Sequence, residues 1–355
     1  MNRLDQFIPV LDPGDAASNH TLMVQQVLRD AGMMSDIYTE QTHPSLADRT
    51  KPYETHDGRS PVLYQFAIGS RMADWLMDRS LPLAVNHHNV TPAKFFEQWD
   101  PGLVHGTTWG QDQLRRLADR SDLAVAVSGY NAIECTKAGF RSVAVAPLLF
   151  DPATLGQPFD PARVAQLRDR ASTAWVFVGR LVPNKAQHRL IAALKVHRQS
   201  ADRDAVLWLV GGSSSENYER ALRRYAKGLG LEGAVEFTGR VDDAERNARL
   251  RAADVLVCAS EHEGFCVPLV EALSCSIPVV AADAGAVAET LGTGGLVIGD
   301  HSAVLLSTAV DMVMRRPELR AQLVASGTAR LADFALERTR QQFLDVLRPW
   351  LARVS

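Results

Sequence analysis

The residues best suited to chemistry are two glutamates with seven residues between them, in Glu263-Gly264-Phe265-Cys266-Val267-Pro268-Leu269-Val270-Glu271. The run before them, Asp254-Val255-Leu256-Val257-Cys258, is short, apolar and β-branched, so it reads as a buried strand. Gly264 permits a sharp turn, and Pro268 suits the first position of a helix, where a missing N–H costs nothing. Glu263 is then expected just beyond a strand's carboxyl end, and Glu271 on the first turn of the next helix. Backbone N–H groups between them, at a helix N-terminus, suit a diphosphate. One acid near a sugar and one near a nucleoside ribose would bracket a nucleotide-sugar.

Breaking a nucleotide-sugar leaves a diphosphate that gathers negative charge, and fixed cations stabilise it best. Arg180 directly follows the apolar run Trp175–Val178, and Lys185 lies five residues on, near a helix start at Pro183-Asn184. Arginine can fork onto two phosphate oxygens while lysine acts as a point charge. An arbitrary Arg and Lys would be solvated surface cations; the strand-end position is what singles these two out. The only Asp-x-Asp, Asp202-Arg203-Asp204, precedes a strand and reads as a polar turn, so no metal ligands and no cofactor are expected.

The Glu-x7-Glu stretch resembles the signature of the retaining glycosyltransferases of family 4. Gly179-Arg180 with Lys185 resembles the family's Gly-Arg-x4-Lys segment. Thr238-Gly239-Arg240-Val241, Ser260-Glu261-His262-Glu263-Gly264-Phe265 and Pro278-Val279-Val280-Ala281 follow in the family's order. The match covers residues 171–300 and is looser over the N-terminal half. It implies an α/β chain of the GT-B fold, two Rossmann-like doubly wound domains facing a central cleft. It also implies donor contacts from Gly14, Gly179, Arg180, Lys185, Gly211, Gly264, Phe265, Cys266, Val267 and Glu271, the last accepting from the ribose hydroxyls. Glu263 is expected to face the donor sugar. Asn86-His87-His88-Asn89, at a strand end, matches the place of a family histidine that contacts the transferring sugar. Either histidine could serve, and His88 is preferred. On the acceptor side stand Asp15, His87 and Ser128. Gly14-Asp15 replaces the family's Gly-Gly pair, and Asp15 is equally readable as an Asx turn before a helix.

The elements that must hold these residues alternate strand and helix, which implies parallel sheets covered by helices. The expected strands are Phe7–Leu11, Asp36–Thr39, Val62–Phe66, Leu83–Asn86, Leu123–Val127 and Val143–Pro147, then Trp175–Val178, Val206–Val210, Val235–Thr238, Asp254–Cys258, Val279–Ala282 and Leu296–Ile298. The first helix is expected from about His20 to Ala31, capped by Ser18 or Asn19 and stopped by Gly32. Gln41–Ser60 lacks periodicity and reads as a mobile loop. Residues 1–155 are read as an acceptor-side domain, 156–172 as a connection and 173–335 as the nucleotide-sugar domain. Residues 336–355 are read as a helix packing back on the first domain through Phe343, Leu344, Leu347 and Leu351, an amphipathic membrane-surface helix being the alternative. The aromatic stretch Thr91–Trp99 lines an acceptor pocket or, by preference, belongs to a core.

Bulk composition narrows the class. A chain of 355 residues, 46% hydrophobic and 22% charged, is sized for two globular domains. A net charge of −3 argues against gripping nucleic acid. The four cysteines form no Cys-x-x-Cys pair, no zinc-like spacing and no disulfide framework, consistent with a reducing cytoplasm. No apolar run approaches the ~20 residues of a membrane span. A cytoplasmic protein, peripheral at the inner face of a membrane or not, is the expectation. The activity implied is metal-independent, retaining transfer of a hexose, mannose from GDP-mannose by preference, to a saccharide, lipid-linked or small-molecule hydroxyl. A nucleotide-sugar epimerase of the same architecture and a non-catalytic nucleotide-sugar-binding partner are the competing readings.

Overall fold

The computed structural model describes residues 3–354 and divides into two compact units. The first holds the chain up to Lys94, Pro101–Phe150 and the segment from Phe334 onward. Its strands are β1 (Asp5–Leu11), β2 (Ile37–Thr42), β3 (Thr50–Pro52), β4 (Val62–Phe66), β5 (Leu83–His87), β6 (Leu123–Ala126) and β7 (Val143–Val145). They form one parallel sheet in the order β3-β2-β1-β4-β5-β6-β7. Alternation along β4 assigns its side chains to two layers. Val62, Tyr64 and Phe66 join Met72, Leu76 and Leu117 on one face. Leu63 joins Val24 and Leu28 on the other, where Phe343, Leu344, Leu347 and Trp350 of the last helix, Leu336–Val354, complete the core.

The second unit holds Phe95–Asp100 and Asp151–Asp333. Its strands are β8 (Ala174–Val178), β9 (Val206–Val210), β10 (Val235–Gly239), β11 (Val255–Cys258), β12 (Val279–Ala282) and β13 (Leu296–Ile298). They run parallel in the order β10-β9-β8-β11-β12-β13. Trp175, Leu207 and Val257 face one helical layer, and Val176, Trp208 and Leu256 face the other. In both sheets the order reverses beside the first strand of the unit, at β1/β4 and at β8/β11. A doubly wound sheet opens its crevice at that switch point, beyond the carboxyl ends of the strands.

Several local expectations change. Gln41–Ser60 is no unstructured loop: it continues β2, adds the short edge strand β3 and contains two 3-10 turns. Backbone pairing with β2, the Thr42–Thr50 hydroxyl bond and the Lys51–Asp36 ion pair recruit β3, and such polar contacts leave no hydrophobic period to read. This segment also walls a pocket of about 370 Å³ with Glu40, Lys51, Tyr53 and Arg71. The first helix runs Ala16–Asp30 and is capped by Asp15, not by Ser18 or Asn19. Residues 156–172 are no free connection, because Val164 and Leu167 of the helix Pro161–Arg168 are buried in the second unit's core. Phe95–Asp100 also belongs to that unit, where Trp99 meets Tyr218 edge-on at 5.1 Å.

Candidate functional site

Three neighbouring strands, β8, β9 and β10, run into glycines at their carboxyl ends: Gly179, Gly211 and Gly239. Gly211 has φ of +142°, and a Cβ there would stand 2.2 Å from the Gly179 carbonyl oxygen. The Gly179 and Leu181 amides donate to the Val210 and Gly212 carbonyls, both at 2.9 Å. Only glycine permits two strand ends to close this tightly. The closure presents Arg180, which is exposed and has no acidic partner among the described residues.

After Arg180 the chain turns through the 3-10 segment Pro183–Lys185 and a left-handed Ala186. Gln187 Nε2 donates to the Arg180 carbonyl at 2.9 Å and clamps that turn. Asn184 then joins the loop after β8 to the loop after β11. Its carbonyl accepts from Glu261 N at 2.8 Å, and its amide donates to the His262 carbonyl at 3.3 Å. This splint sets Lys185 Nζ 2.5 Å from Glu263 Oε2. The other carboxylate oxygen accepts from Ser260 Oγ at 2.7 Å, and Ser260 Oγ in turn accepts from the Cys258 thiol at 3.3 Å. The Glu263 carbonyl accepts from Ala286 N at 2.9 Å, over a left-handed Gly285 whose Cβ would lie 2.2 Å from that oxygen. Glu263 is thus fixed at both backbone and side chain while being 4% exposed. Burial opposes the Lys185 charge, but the Glu263 carboxylate outweighs it and holds the lysine above its ordinary pKa.

The sharp turn before the next helix falls on Cys266, with φ of +72°, and not on Gly264. Val267 is the first helical residue, which moves Pro268 to the second position. His262 is buried, and Glu261 pairs with Arg189 at 2.6 Å. The Phe265 carbonyl accepts from Thr290 Oγ1 at 2.6 Å. Glu271 is also buried, with Arg246 the nearest cation at 3.6 Å. Burial raises its pKa above the usual carboxylate value, and Arg246 only partly offsets this. Lys185 is accordingly not free in this structure but held against Glu263. Asp202 sits at the amino end of β9, bonded to Ser172 Oγ at 2.7 Å.

In the first sheet a ladder of amides joins β1, β4 and β5. Gln6 Nε2 donates to the Thr21 carbonyl at 3.1 Å, and its oxygen accepts from Gln65 Nε2 at 2.8 Å. Gln65 Oε1 must then accept, from Asn86 Nδ2 at 2.8 Å and from His88 Nε2 at 2.6 Å. Because a backbone carbonyl starts the chain, its direction is set: His88 carries its proton on Nε2 and keeps Nδ1 as an acceptor. Burial, reinforced by His20 and His87, holds His88 well below the ordinary histidine pKa, so the ring is uncharged at neutral pH. His20 is pushed down to about 3 by burial. His87 is buried with Nε2 3.3 Å from Glu134 Oε2. Asp15 and Ser128 serve as helix caps, accepting from Ser18 N at 3.1 Å and Asn131 N at 3.2 Å. Gly14 takes the left-handed turn before Asp15, with φ of +82°.

Sequence reasoning passed over the supports Asn184, Ser260 and Gly285. None is chemically distinctive alone; only the loop-to-loop contacts reveal them.

Two Rossmann-like parallel sheets, the second with its polar residues at the switch point, define a GT-B protein. A solved structure from Anabaena, Alr3699/HepE in complex with UDP and glucose, superposes with a TM-score of 0.79 over 98% of this chain and 100% of that one, at 20% identity. Residues 161–330 match the family model described as glycosyl transferases group 1. A D-inositol 3-phosphate glycosyltransferase of Saccharomonospora viridis is 32% identical over 70% of this chain and 56% of its own length. A GDP-mannose-dependent alpha-(1-6)-phosphatidylinositol monomannoside mannosyltransferase of Mycolicibacterium smegmatis is 31% identical over 64% of this chain and 62% of its own. The chain spans about half to under two thirds of the length of several of the curated relatives it matches. Residues 161–330 therefore carry a group 1 glycosyltransferase domain within a GT-B fold.

Proposed function

We propose that the protein transfers a hexose, mannose by preference, from a nucleoside-diphosphate sugar to an acceptor hydroxyl, with retention of anomeric configuration. The observation that carries this is the pair of half-buried Lys185 with buried Glu263 at the β8/β11 switch point, next to Arg180, which has no acidic partner among the described residues. A net cation beside a fixed carboxylate suits a ligand with a diphosphate at one end and a polyol at the other. Arg180 would fork onto the diphosphate, and Lys185 would swing toward the leaving oxygen as charge develops there. Glu263, held by Ser260, would accept from a sugar hydroxyl. Glu271 would accept from the ribose. The diphosphate itself would take the acceptor's proton, since it gains basicity as the glycosidic bond breaks. His88, neutral with Nδ1 as acceptor, suits a sugar hydroxyl and adds no charge.

These cations supply the compensation a metal would otherwise give, so activity without added metal belongs to the proposal. The mannose preference draws support from the mannosyltransferase relative, and relatives named for inositol-based acceptors favour a polyol or glycolipid acceptor. No helix among the described residues is long and apolar enough to cross a membrane, and peripheral action at its inner face is part of the reading.

The test is thermal stabilisation by GDP, UDP, dTDP, ADP and their sugars without metal, followed by turnover. A rise with GDP-mannose is expected. A rise with UDP compounds alone would overturn the mannose donor, and no rise with any nucleotide would overturn the enzyme reading. Release of an isomerised sugar without acceptor would identify an epimerase instead.

A further inference from the structure

Cys258 ends β11, and Cys266 holds the left-handed position before the helix Val267–Ser274. The fold brings their thiols and one Glu263 carboxylate oxygen within 4.8 Å of one another, all three residues buried. We infer that Cys258, Cys266 and Glu263 form a binding site for a thiophilic divalent cation of the Zn²⁺ class, and that its occupation switches the donor site off. The binding stands on geometry alone, while the inhibition rests on the proposed role of Glu263.

Tetrahedral zinc with two sulfurs at about 2.3 Å and an oxygen at about 2.0 Å separates its ligand atoms by roughly 3.5–3.8 Å. The three atoms therefore need to close by about 1 Å, within reach of small side-chain rotations. The carboxylate is already oriented, by Ser260 Oγ at 2.7 Å on one oxygen and Lys185 Nζ at 2.5 Å on the other. Such outer partners commonly aim metal ligands. The exchange is also neutral in charge. Lys185 and Glu263 cancel before binding; afterwards the two positive charges of the metal are matched by two thiols that each release a proton to solvent. No oxidation is involved. Two thiolates and one carboxylate select against Mg²⁺ and Ca²⁺, which demand oxygen ligands. With Glu263 coordinated, the sugar loses its carboxylate.

The experiment titrates the fully reduced, metal-free full chain with Co²⁺ and follows the thiolate-to-cobalt charge-transfer absorption. One equivalent is expected to saturate the band, and Zn²⁺ to displace it. Cys258→Ser keeps a donor to Ser260 and should weaken binding at least about tenfold, whereas Cys275→Ser should leave the band intact. Absence of the band, its persistence in Cys258→Ser, or equal loss in Cys275→Ser would overturn the site. Zn²⁺ should then inhibit transfer by the unmodified chain, reversibly with a chelator, with Cys258→Ser inhibited less relative to its own metal-free rate. Equal inhibition of both would overturn the switch while leaving the binding result standing.

Discussion

The first sheet and the second share one strand order on either side of their switch points, yet their carboxyl ends carry opposite chemistry. At β8/β11 a part-buried ion pair lies near Arg180, which has no acidic partner among the described residues, and the glycine ends of β8, β9 and β10 lie to one side. Near β1/β4 a ladder of amides terminates on uncharged histidines. A doubly wound sheet supplies only a crevice; what binds there follows from the groups that line it. The charged end suits a phosphate-bearing ligand, and the amide–histidine end suits a neutral polyol. The carboxylate of Glu263 is balanced by a counter-charge, whereas the amide end is joined by directed hydrogen bonds that still leave Asn86 Oδ1 and His87 Nδ1 buried without a partner.

Breaking the charged end should do most damage. Glu263→Ala leaves Lys185 and Ser260 without their partner, and should lower turnover on the order of 10²–10³-fold while costing about 3 kcal/mol of stability. Separate measurements of donor binding and thermal unfolding apportion the two effects. Arg180→Ala removes an exposed side chain, so stability should stay within about 0.5 kcal/mol. Turnover should nonetheless fall on the order of 100-fold. Full activity in both variants would sink the assignment of this end to the donor.

Two glycines sharpen the comparison. Gly211→Ala drives a Cβ into the Gly179 carbonyl and should cost about 3 kcal/mol in chemical denaturation. Gly14→Ala meets nothing within 4 Å and should cost only the left-handed strain of about 1 kcal/mol. Equal costs would mean the first turn is as closely packed as the second.

The smallest effect expected is the pH dependence of Glu271. Its folded pKa lies above its unfolded value, so the protonated acid is favoured on folding. That contribution is fully present below the ordinary carboxylate pKa and is lost as pH rises through the raised one. Glu271→Gln should therefore be more stable than the parent at neutral pH, the difference shrinking on acidification, while binding the nucleotide-sugar less well. A stability gap that widened toward acid pH would show the carboxylate to be favoured on folding instead.

Much of the frame was legible because it depends on neighbours in sequence. Twelve apolar runs announce strands, since a parallel sheet buried on both faces demands continuous hydrophobic stretches. Asp160 before Pro161 announces a helix start, and its carboxylate does accept from Ala162 N at 2.9 Å. The Glu263-to-Glu271 spacing and the Arg180–Lys185 spacing likewise mark a strand-to-helix turn and a strand end without any long-range information.

Other features needed the folded chain. Lys185 reads only as a phosphate-directed cation until the fold sets it against Glu263, 78 residues away. Cys258 and Cys266 lack metal-like spacing in the sequence, and only the reversal at Cys266 brings their sulfurs together. The proton position on His88 is dictated by a chain of amides reaching back to the Thr21 carbonyl. The sequence by itself determined which segments are buried and where polar residues leave the strands, because periodicity and turn chemistry are local. Tertiary structure decided which of those residues are paired, protonated or opposed, because charge and hydrogen bonding depend on distance in space.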